Sequence, residues 1–138
     1  MFTNKDIIFF KKAKSAANLS DYNKEHIGCI AVYRGKVIGV GYNTNKTNTT
    51  QYYYDRFRKI KSDKNYSAKL HAEISCINSI KNMDIKFNKV KLYIYRLKRD
   101  GTCGISKPCK ACINAIKDLG IKHIYYTLDD GYVYERYN

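Results

Sequence analysis

Two short stretches of the sequence carry side chains that commonly bind metal ions or transfer protons. They are His71-Ala72-Glu73 and Pro108-Cys109-Lys110-Ala111-Cys112. One histidine and two cysteines offer the nitrogen and sulfur ligands that zinc binds in tetrahedral sites. Three protein ligands leave the fourth position to water, as catalytic zinc sites do. The sequence therefore predicts a zinc ion held by His71, Cys109 and Cys112.

Glu73 lies two residues from the predicted histidine ligand, where its carboxylate can take a proton from water and pass it on. We expect it to act as general acid and base. A purely structural zinc site would be closed by a fourth ligand, for which Cys103 is the nearby candidate. That alternative is a non-enzymatic, zinc-stabilised module that binds nucleic acid, and the motifs alone leave it open.

The elements that must position these residues follow from apolar periodicity and from turn residues. The predicted helices run from Thr3 to about Asn18–Asp21, from Leu70 to Ile80 or Lys81, and from Pro108 or Cys109 to Leu119. The predicted strands are 27–33, 36–42, 90–96, 122–127 and 132–137. This order predicts an α/β fold with three α/β/α layers, in which a central five-stranded mixed sheet ends in an antiparallel C-terminal hairpin.

Several local signals add detail to this fold. Arg34-Gly35 predicts a tight hairpin turn, and Gly39 and Gly41 indicate a bulge or the close approach of another backbone. The polar stretch 43–50 predicts a loop at the rim of a pocket, followed by a short helix within 52–59 and a second polar loop at 61–65.

Length and composition place the chain among compact globular proteins. Its 138 residues predict one domain, 1–138, and 44% hydrophobic with 28% charged residues is atypical of disordered chains. No apolar run approaches the roughly 20 residues of a membrane span, and the first residues lack a secretory leader. Five cysteines, two of them at C-x-x-C spacing, favour metal chemistry in a reducing compartment over disulfides. We therefore expect a cytoplasmic protein without membrane contact.

The charge balance favours anionic partners. With 26 Lys and Arg against 12 Asp and Glu, the formal net charge is +14, which attracts nucleotides or nucleic acid. The alternative is a coding bias, since the chain is also rich in Asn, Ile and Tyr.

The two motifs together, each at the start of a predicted helix, resemble the H-x-E and P-C-x-x-C signature of the zinc-dependent cytidine and deoxycytidylate deaminase superfamily. The resemblance covers 27–127 and is closest to small deaminases of phage, other viral and bacterial genomes. It implies a cytidine-deaminase-like fold and hydrolysis of cytosine to uracil and ammonia. In that reaction activated water attacks C4 while Glu73 protonates N3 and helps ammonia leave. Asn43 would reach the sugar or base, and the backbone around Ala72 and Lys107 would hold the ring edge.

The superfamily acts on bases, nucleosides, nucleotides and nucleic acids, so its signature leaves the substrate open. We expect a pyrimidine nucleoside or nucleotide, namely cytidine, deoxycytidine, CMP or dCMP. The basic residues Lys46, Arg56 and Arg58 lie on or after the polar loop, where they could bind a 5′-phosphate. The resemblance also implies a homo-oligomer.

The alternative substrate is cytosine or adenosine in single-stranded nucleic acid or tRNA. The aromatic residues that alternate with basic residues in 52–58 would then stack on the nucleobases of the strand. We favour the interpretation that Tyr52, Tyr53, Tyr54 and Phe57 complete the core. The tRNA adenosine deaminases generally continue beyond the fourth strand with a further strand and helix, whereas 11 residues follow Thr127 here.

Overall fold

The computed structural model describes residues 2–58 and 67–138. The helices are α1 (Asn4–Ala17), α2 (Thr49–Asp55), α3 (Ala72–Ile80) and α4 (Lys110–Leu119). The strands are β1 (His26–Tyr33), β2 (Lys36–Tyr42), β3 (Lys91–Leu97), β4 (Cys103–Gly104), β5 (His123–Leu128) and β6 (Gly131–Arg136). A 3-10 turn, Phe87–Lys89, precedes β3. The predicted loop at 61–65 and the end of the predicted helix within 52–59 lie outside the described residues.

The strands form one mixed sheet in the order β2-β1-β3-β5-β6, with β4 paired to β3. Strands β3 and β5 are parallel, and the other pairs are antiparallel. The prediction of five strands was therefore one short for the part of the chain described. The sixth is β4, where the loop after β3 folds back and pairs Arg96 with Gly104 and Leu97 with Cys103. Two residues are too few to produce an alternating pattern in the sequence.

Helices cover both faces of the sheet, as predicted. Helix α1 packs on one face through Phe10 and Ala13, against Tyr93 and Tyr125. Helices α3 and α4 pack on the other face, where their apolar side chains join those of β1, β3 and β5. The α/β/α layering is confirmed. No helix within 2–58 and 67–138 combines the length and apolar character needed to cross a membrane.

Capping and turn residues account for the ends of the elements. Thr3 and Asp6 form a capping box at the start of α1, in which each side chain accepts from the other's backbone N–H. Arg34 and Gly35 have φ values of 52° and 77°, as a tight hairpin turn requires. Gly120 ends α4 with a φ of 94°. Helix α2 begins earlier than predicted because the side chain of Asn48 caps it.

The glycines of β2 let the sheet approach helix α3. A Cβ atom on Gly41 would overlap backbone atoms of Ala72 and Cys76, and one on Gly39 would crowd Ile80. The pairing of β1 with β2 also shifts register after Ala31. Both predicted explanations for these glycines, a bulge and a close approach, are confirmed. The close approach sets where the first turn of α3 lies.

Candidate metal centre

The three predicted metal ligands meet at the N-termini of two helices. His71 is the N-cap of α3, Cys109 is the N-cap of α4, and Cys112 lies in the first turn of α4. Nδ1 of His71 is 3.5 Å from Sγ of Cys109 and 3.5 Å from Sγ of Cys112. Tetrahedral zinc with bonds of about 2.1 Å to nitrogen and 2.3 Å to sulfur separates such atoms by about 3.6 Å. Both nitrogen-to-sulfur distances therefore match those around a bound zinc ion.

The two thiols differ in how readily they ionise. A hydrogen bond from Cys112 and the proximity of His71 lower the pKa of Cys109 to about 4. Burial raises the pKa of Cys112 well above its usual value. The protein groups alone therefore favour one thiolate, that of Cys109. A cation supplies the attraction that ionises the second, so metal binding should release a proton.

His71 is drawn toward its protonated form. Burial of the ring opposes the charge, but the hydrogen bond to Cys109 and the attraction of Glu73 together raise the pKa of His71. A metal ion competes with this proton for the ring nitrogen, which ties metal affinity to pH.

Glu73 lies beside the three ligands, in the first turn of α3. Its side chain is only 5% exposed. Burial raises the pKa of Glu73 to about 7, against the opposing attraction of His71. A carboxyl group that titrates near neutrality can both accept and donate protons there. The position and the pKa agree with the predicted general acid and base.

His71, Cys109 and Glu73 line a cavity of about 150 Å³, whereas Cys112 is fully buried and does not line it. Its wall includes Asn43, Ala72 and Lys107, three of the residues predicted to bind substrate. Lys46, the fourth, is exposed on the polar loop and is absent from this wall. A loop residue on the rim can point away from the pocket, and the sequence carries no signal for its direction.

The amide of Asn43 is already engaged in holding the cavity wall. Its Oδ1 accepts from the backbone N–H of Ile27 at 2.9 Å, and its Nδ2 donates to the carbonyl of Glu25 at 2.8 Å. In this arrangement Asn43 fixes the entry into β1. If Asn43 also contacts the sugar or base of a substrate, as predicted, its Oδ1 and Nδ2 must take part in both sets of hydrogen bonds.

Cys103 does not close the metal site. Its thiol donates to the carbonyl of Leu128 at 3.1 Å, and it packs with the aromatic cluster on the α1 face of the sheet. Among the described residues, the cluster with ligand atoms within 4.8 Å of one another comprises His71, Cys109 and Cys112. This geometry leaves the fourth position of a bound ion without a protein sulfur.

A buried glutamine, which the sequence analysis missed, holds the metal-binding histidine. Oε1 of Gln51 accepts from the backbone N–H of His71 at 2.9 Å, and its Nε2 donates to Asp55 at 2.7 Å. Arg58 forms an ion pair with Asp55 at 3.3 Å. The i, i+4 spacing of Gln51 and Asp55 was visible in the sequence, but their contact with residue 71 was not.

Three of the four aromatic residues in or just after α2 are exposed, so their predicted place in the core was wrong. Tyr52, Tyr53 and Phe57 are 69%, 49% and 36% exposed. Tyr54 packs against the core, and its hydroxyl donates to Asp118 at 2.9 Å. Arg56 lies 4.0 Å from the ring centre of Tyr53, to whose hydroxyl it donates. The short helix therefore presents an aromatic and basic surface.

The α/β/α layers and the His-Cys-Cys cluster at two helix N-termini define an α/β protein whose own residues would supply three ligands to a zinc ion. The family described as "Cytidine and deoxycytidylate deaminase zinc-binding region" matches residues 3–128, and the chain belongs to this family. The sequence-based resemblance and the expectation of zinc are confirmed.

Three similar proteins put this membership in context. A deoxycytidylate deaminase of Pongo abelii is 27% identical over 117 residues, which cover 83% of this chain and 59% of the relative. The chain thus spans about 59% of the length of that curated relative. The dCMP deaminase of cyanophage S-TIM5, crystallised with dCMP and dUMP, superposes with a TM-score of 0.63 at 19% identity, covering 91% of this chain and 82% of the phage protein. A cytidine deaminase of Burkholderia pseudomallei gives a TM-score of 0.64 at 18% identity, covering 98% and 93%. These structures confirm the cytidine-deaminase-like fold.

Proposed function

We propose that this protein is a zinc-dependent hydrolase that converts the cytosine of a nucleoside or nucleotide to uracil, with release of ammonia. The observation that carries the proposal is the metal triangle of His71, Cys109 and Cys112, of which His71 and Cys109 line the same cavity as Glu73. When bound, zinc would lower the pKa of a coordinated water so that hydroxide is available near neutral pH.

Glu73 performs the proton transfers that the reaction requires. It accepts a proton from the attacking water and delivers it to N3 of the ring as the new C4–O bond forms. It then moves the second proton of that water to the amino group, the C4–N bond breaks, and ammonia leaves. Because burial holds its pKa at about 7, Glu73 can alternate between both protonation states at little cost.

A nucleotide is the favoured form of the substrate within this proposal. The formal charge of +14 attracts anions, and the similar phage protein was crystallised with dCMP and dUMP. The candidates are dCMP and CMP ahead of deoxycytidine and cytidine.

Turnover by the zinc-loaded protein tests the proposal directly. The protein is incubated with cytosine, cytidine, deoxycytidine, CMP and dCMP, and ammonia and the uracil product are measured together. Cys109→Ser should lose both zinc and turnover, while Cys103→Ser, a cysteine outside the metal cluster, should retain both. Absence of uracil from every substrate with zinc in place would contradict the proposal.

A second candidate substrate is cytosine within single-stranded nucleic acid, favoured by the exposed rings of Tyr52, Tyr53 and Phe57. Base stacking on such rings is sequence-tolerant and contributes about 1–3 kcal/mol per base. A short oligodeoxynucleotide with one cytosine, assayed beside dCMP, separates the candidates. Turnover of the oligonucleotide alone, lost in Tyr52→Ala, would establish the second candidate and exclude the first.

We also propose that the protein is a homo-oligomer. Two exposed apolar side chains, Leu19 just after α1 and Val40 on β2, support an interface between copies. Light scattering of the purified protein should give a multiple of the 16.1 kDa chain mass, and a monomeric mass would contradict this proposal.

A further inference from the structure

A second cavity adjoins the candidate active site, and its wall is basic. It measures about 340 Å³ and lies where β1 begins and β3 ends. Its lining includes His26 and five charged residues, Lys24, Glu25, Arg96, Lys98 and Arg99. Lys98 is paired with Asp129 at 3.0 Å, outside the lining. Four cations against the one carboxylate of the lining still make the cavity attractive to anions.

Glu25 lines both this basic cavity and the cavity that contains Glu73. The inner cavity, at about 150 Å³, is smaller than the roughly 300–1,000 Å³ of typical small-molecule sites. The two adjoining cavities together fall within that range. A nucleotide with its ring beside Glu73 needs more room than the inner cavity has, and the basic cavity, which shares Glu25 with it, adjoins it.

We propose that the basic cavity binds the 5′-phosphate of a mononucleotide whose cytosine lies beside Glu73. The proposal rests on the deaminase function proposed above and specifies its substrate as a nucleoside monophosphate. It replaces the sequence-based assignment of the phosphate to Lys46, Arg56 and Arg58.

The arginines of the cavity retain donors for a phosphate. Nη2 of Arg96 lies 3.6 Å from Oε2 of Glu25, and both side chains are partly exposed. Exposed ion pairs of this kind are weak, so the guanidinium of Arg96 keeps its attraction for a phosphate. Arg99 donates through Nη2 to the carbonyl of Asn23 at 3.0 Å, and this contact fixes its side chain across the cavity. Each guanidinium has five N–H donors in a planar fork that matches phosphate oxygens.

The short strand β4 supports this arrangement. A Cβ on Gly104 would lie 3.0 Å from Cδ of Arg96 and 3.1 Å from Cε of Lys98. The two basic side chains therefore pass directly over Gly104, whose missing side chain leaves them room. The loop that folds back to form β4 thus positions two cations at the cavity.

The three basic residues that the sequence predicted to bind the phosphate lie elsewhere in the structure. Arg56 packs on the ring of Tyr53, and Arg58 pairs with Asp55. Lys46 lies outside the wall of the metal cavity. None of these three lines the basic cavity beside Glu25.

Product binding tests the phosphate site without requiring turnover. Affinities of the zinc-loaded protein for dUMP and for deoxyuridine are measured by calorimetry, and their ratio is compared among variants. Arg96→Ala should reduce the preference for dUMP by about 10- to 100-fold, as expected for a lost hydrogen bond to a charged group. Arg136→Ala is the matched control, because it removes an exposed arginine from β6 at the opposite end of the sheet.

The two proposals fail in different ways. If both variants keep the parent's preference for dUMP, the phosphate assignment is overturned, whatever the turnover assay gives. If the preference falls in Arg96→Ala but no substrate is deaminated, the deaminase function fails and the phosphate site stands.

An oligonucleotide identifies the source of the phosphate. A single-stranded oligodeoxynucleotide with one uracil is titrated beside dUMP. Loss of oligonucleotide affinity in Arg96→Ala with the affinity for dUMP retained would assign the cavity to a strand phosphodiester. That result would overturn the mononucleotide proposal.

Discussion

Glu73 combines nearly complete burial with a position beside the metal ligands. A structural carboxylate would normally be paired or exposed, because an isolated buried charge is costly. The raised pKa, about 7, suits a group that must hold a proton in one step and release it in the next.

Replacement of Glu73 by glutamine separates proton transfer from metal binding. Glu73→Gln keeps the shape of the side chain but removes its titration, so kcat should fall by about 10²- to 10⁴-fold. Zinc content, measured by elemental analysis of the same preparation, should match the parent. Unchanged turnover, or loss of zinc together with turnover, would contradict the role assigned to Glu73.

Gln51 should influence zinc affinity although it does not touch the ion. Gln51→Leu removes the acceptor for the backbone N–H of His71, which costs about 1–3 kcal/mol of stability for a buried group. Because that bond fixes the N-cap of α3, zinc affinity should fall by about 10- to 100-fold. Competition with a chelator and urea unfolding measure the two effects.

Tyr52→Leu is the control for this variant, since it alters the next residue of α2 at an exposed position. Its zinc affinity and stability should stay close to those of the parent. Equal losses in both variants would show that α2 as a whole, rather than the bond to His71, supports the metal site.

The metal ligands were predictable from the sequence, and their supports were not. His71, Cys109 and Cys112 are rare residue types at recognisable local spacings. Gln51 contacts a residue that is distant in the sequence, and the cavity that Arg96 lines forms only in the fold. Lys46 was predicted to bind substrate because it is close in sequence to Asn43, yet it does not line the cavity that Asn43 lines.

At the scale of elements, strand β2 and helix α3 fit together because Gly41 has no side chain. Gly41→Ala places a methyl group against the backbone at Ala72 and Cys76, so the helix must shift. Overpacking of this kind costs about 1–3 kcal/mol, and the shift should also weaken zinc binding because His71 caps the same helix. Thermal unfolding with and without zinc measures both losses.

Gly131→Ala is the matched control, because no atom lies near the added methyl group and its φ is not positive. Stability should change little in this variant. If Gly41→Ala is equally tolerated, the close packing of α3 on β2 does not position the metal site.

Helix α1 is tied to the sheet by a buried hydrogen bond from Tyr93 to Asp6, at 2.6 Å. Burial acts to raise the pKa of Asp6, but the bonds from Tyr93 and Thr3 prevail and lower it below the usual 3.8. The carboxyl group of Asp6 therefore binds a proton more weakly in the native state than in the unfolded chain. Its ionised form stabilises the fold above pH 3.8. This contribution is lost as the pH falls through the lowered pKa.

Urea unfolding should reveal this acid-sensitive contribution. At pH 7, Asp6→Asn should lower the free energy of unfolding by about 1.5–3 kcal/mol, as for hydrogen bonds to charged groups. The difference from the parent should shrink at pH values below the ordinary pKa. Tyr93→Phe should show the same trend, and a difference that does not depend on pH would contradict the ionised bond.

The elements themselves were largely predictable, because capping boxes, glycine stops and apolar alternation are local signals. Strand β4 was missed although Asp100-Gly101 marks a turn, since its pairing with β3 depends on tertiary contact. The exposed rings of α2 were misplaced for a related reason. An aromatic residue on a short helix has no apolar stripe to show which face is buried.

For the molecule as a whole, the charge of +14 should act mainly on the encounter with substrate. Four of its cations line the cavity beside Glu25, where the proposed phosphate would bind. A coding bias toward lysine would account for the total charge, but it would not require cations to gather next to the metal site.

Salt should therefore weaken the turnover of a charged substrate more than that of a neutral one. The screening length shortens from about 30 Å at 0.01 M to about 10 Å at 0.1 M ionic strength, so attraction from beyond the cavity is lost over this range. The value of kcat/KM for dCMP should fall several-fold, while that for deoxycytidine, which lacks the phosphate, should change little. Steady-state kinetics of both substrates in the same salt series measure this difference. Parallel decreases would mean that salt acts on the fold or on the metal site, and the net charge would then have no part in substrate capture.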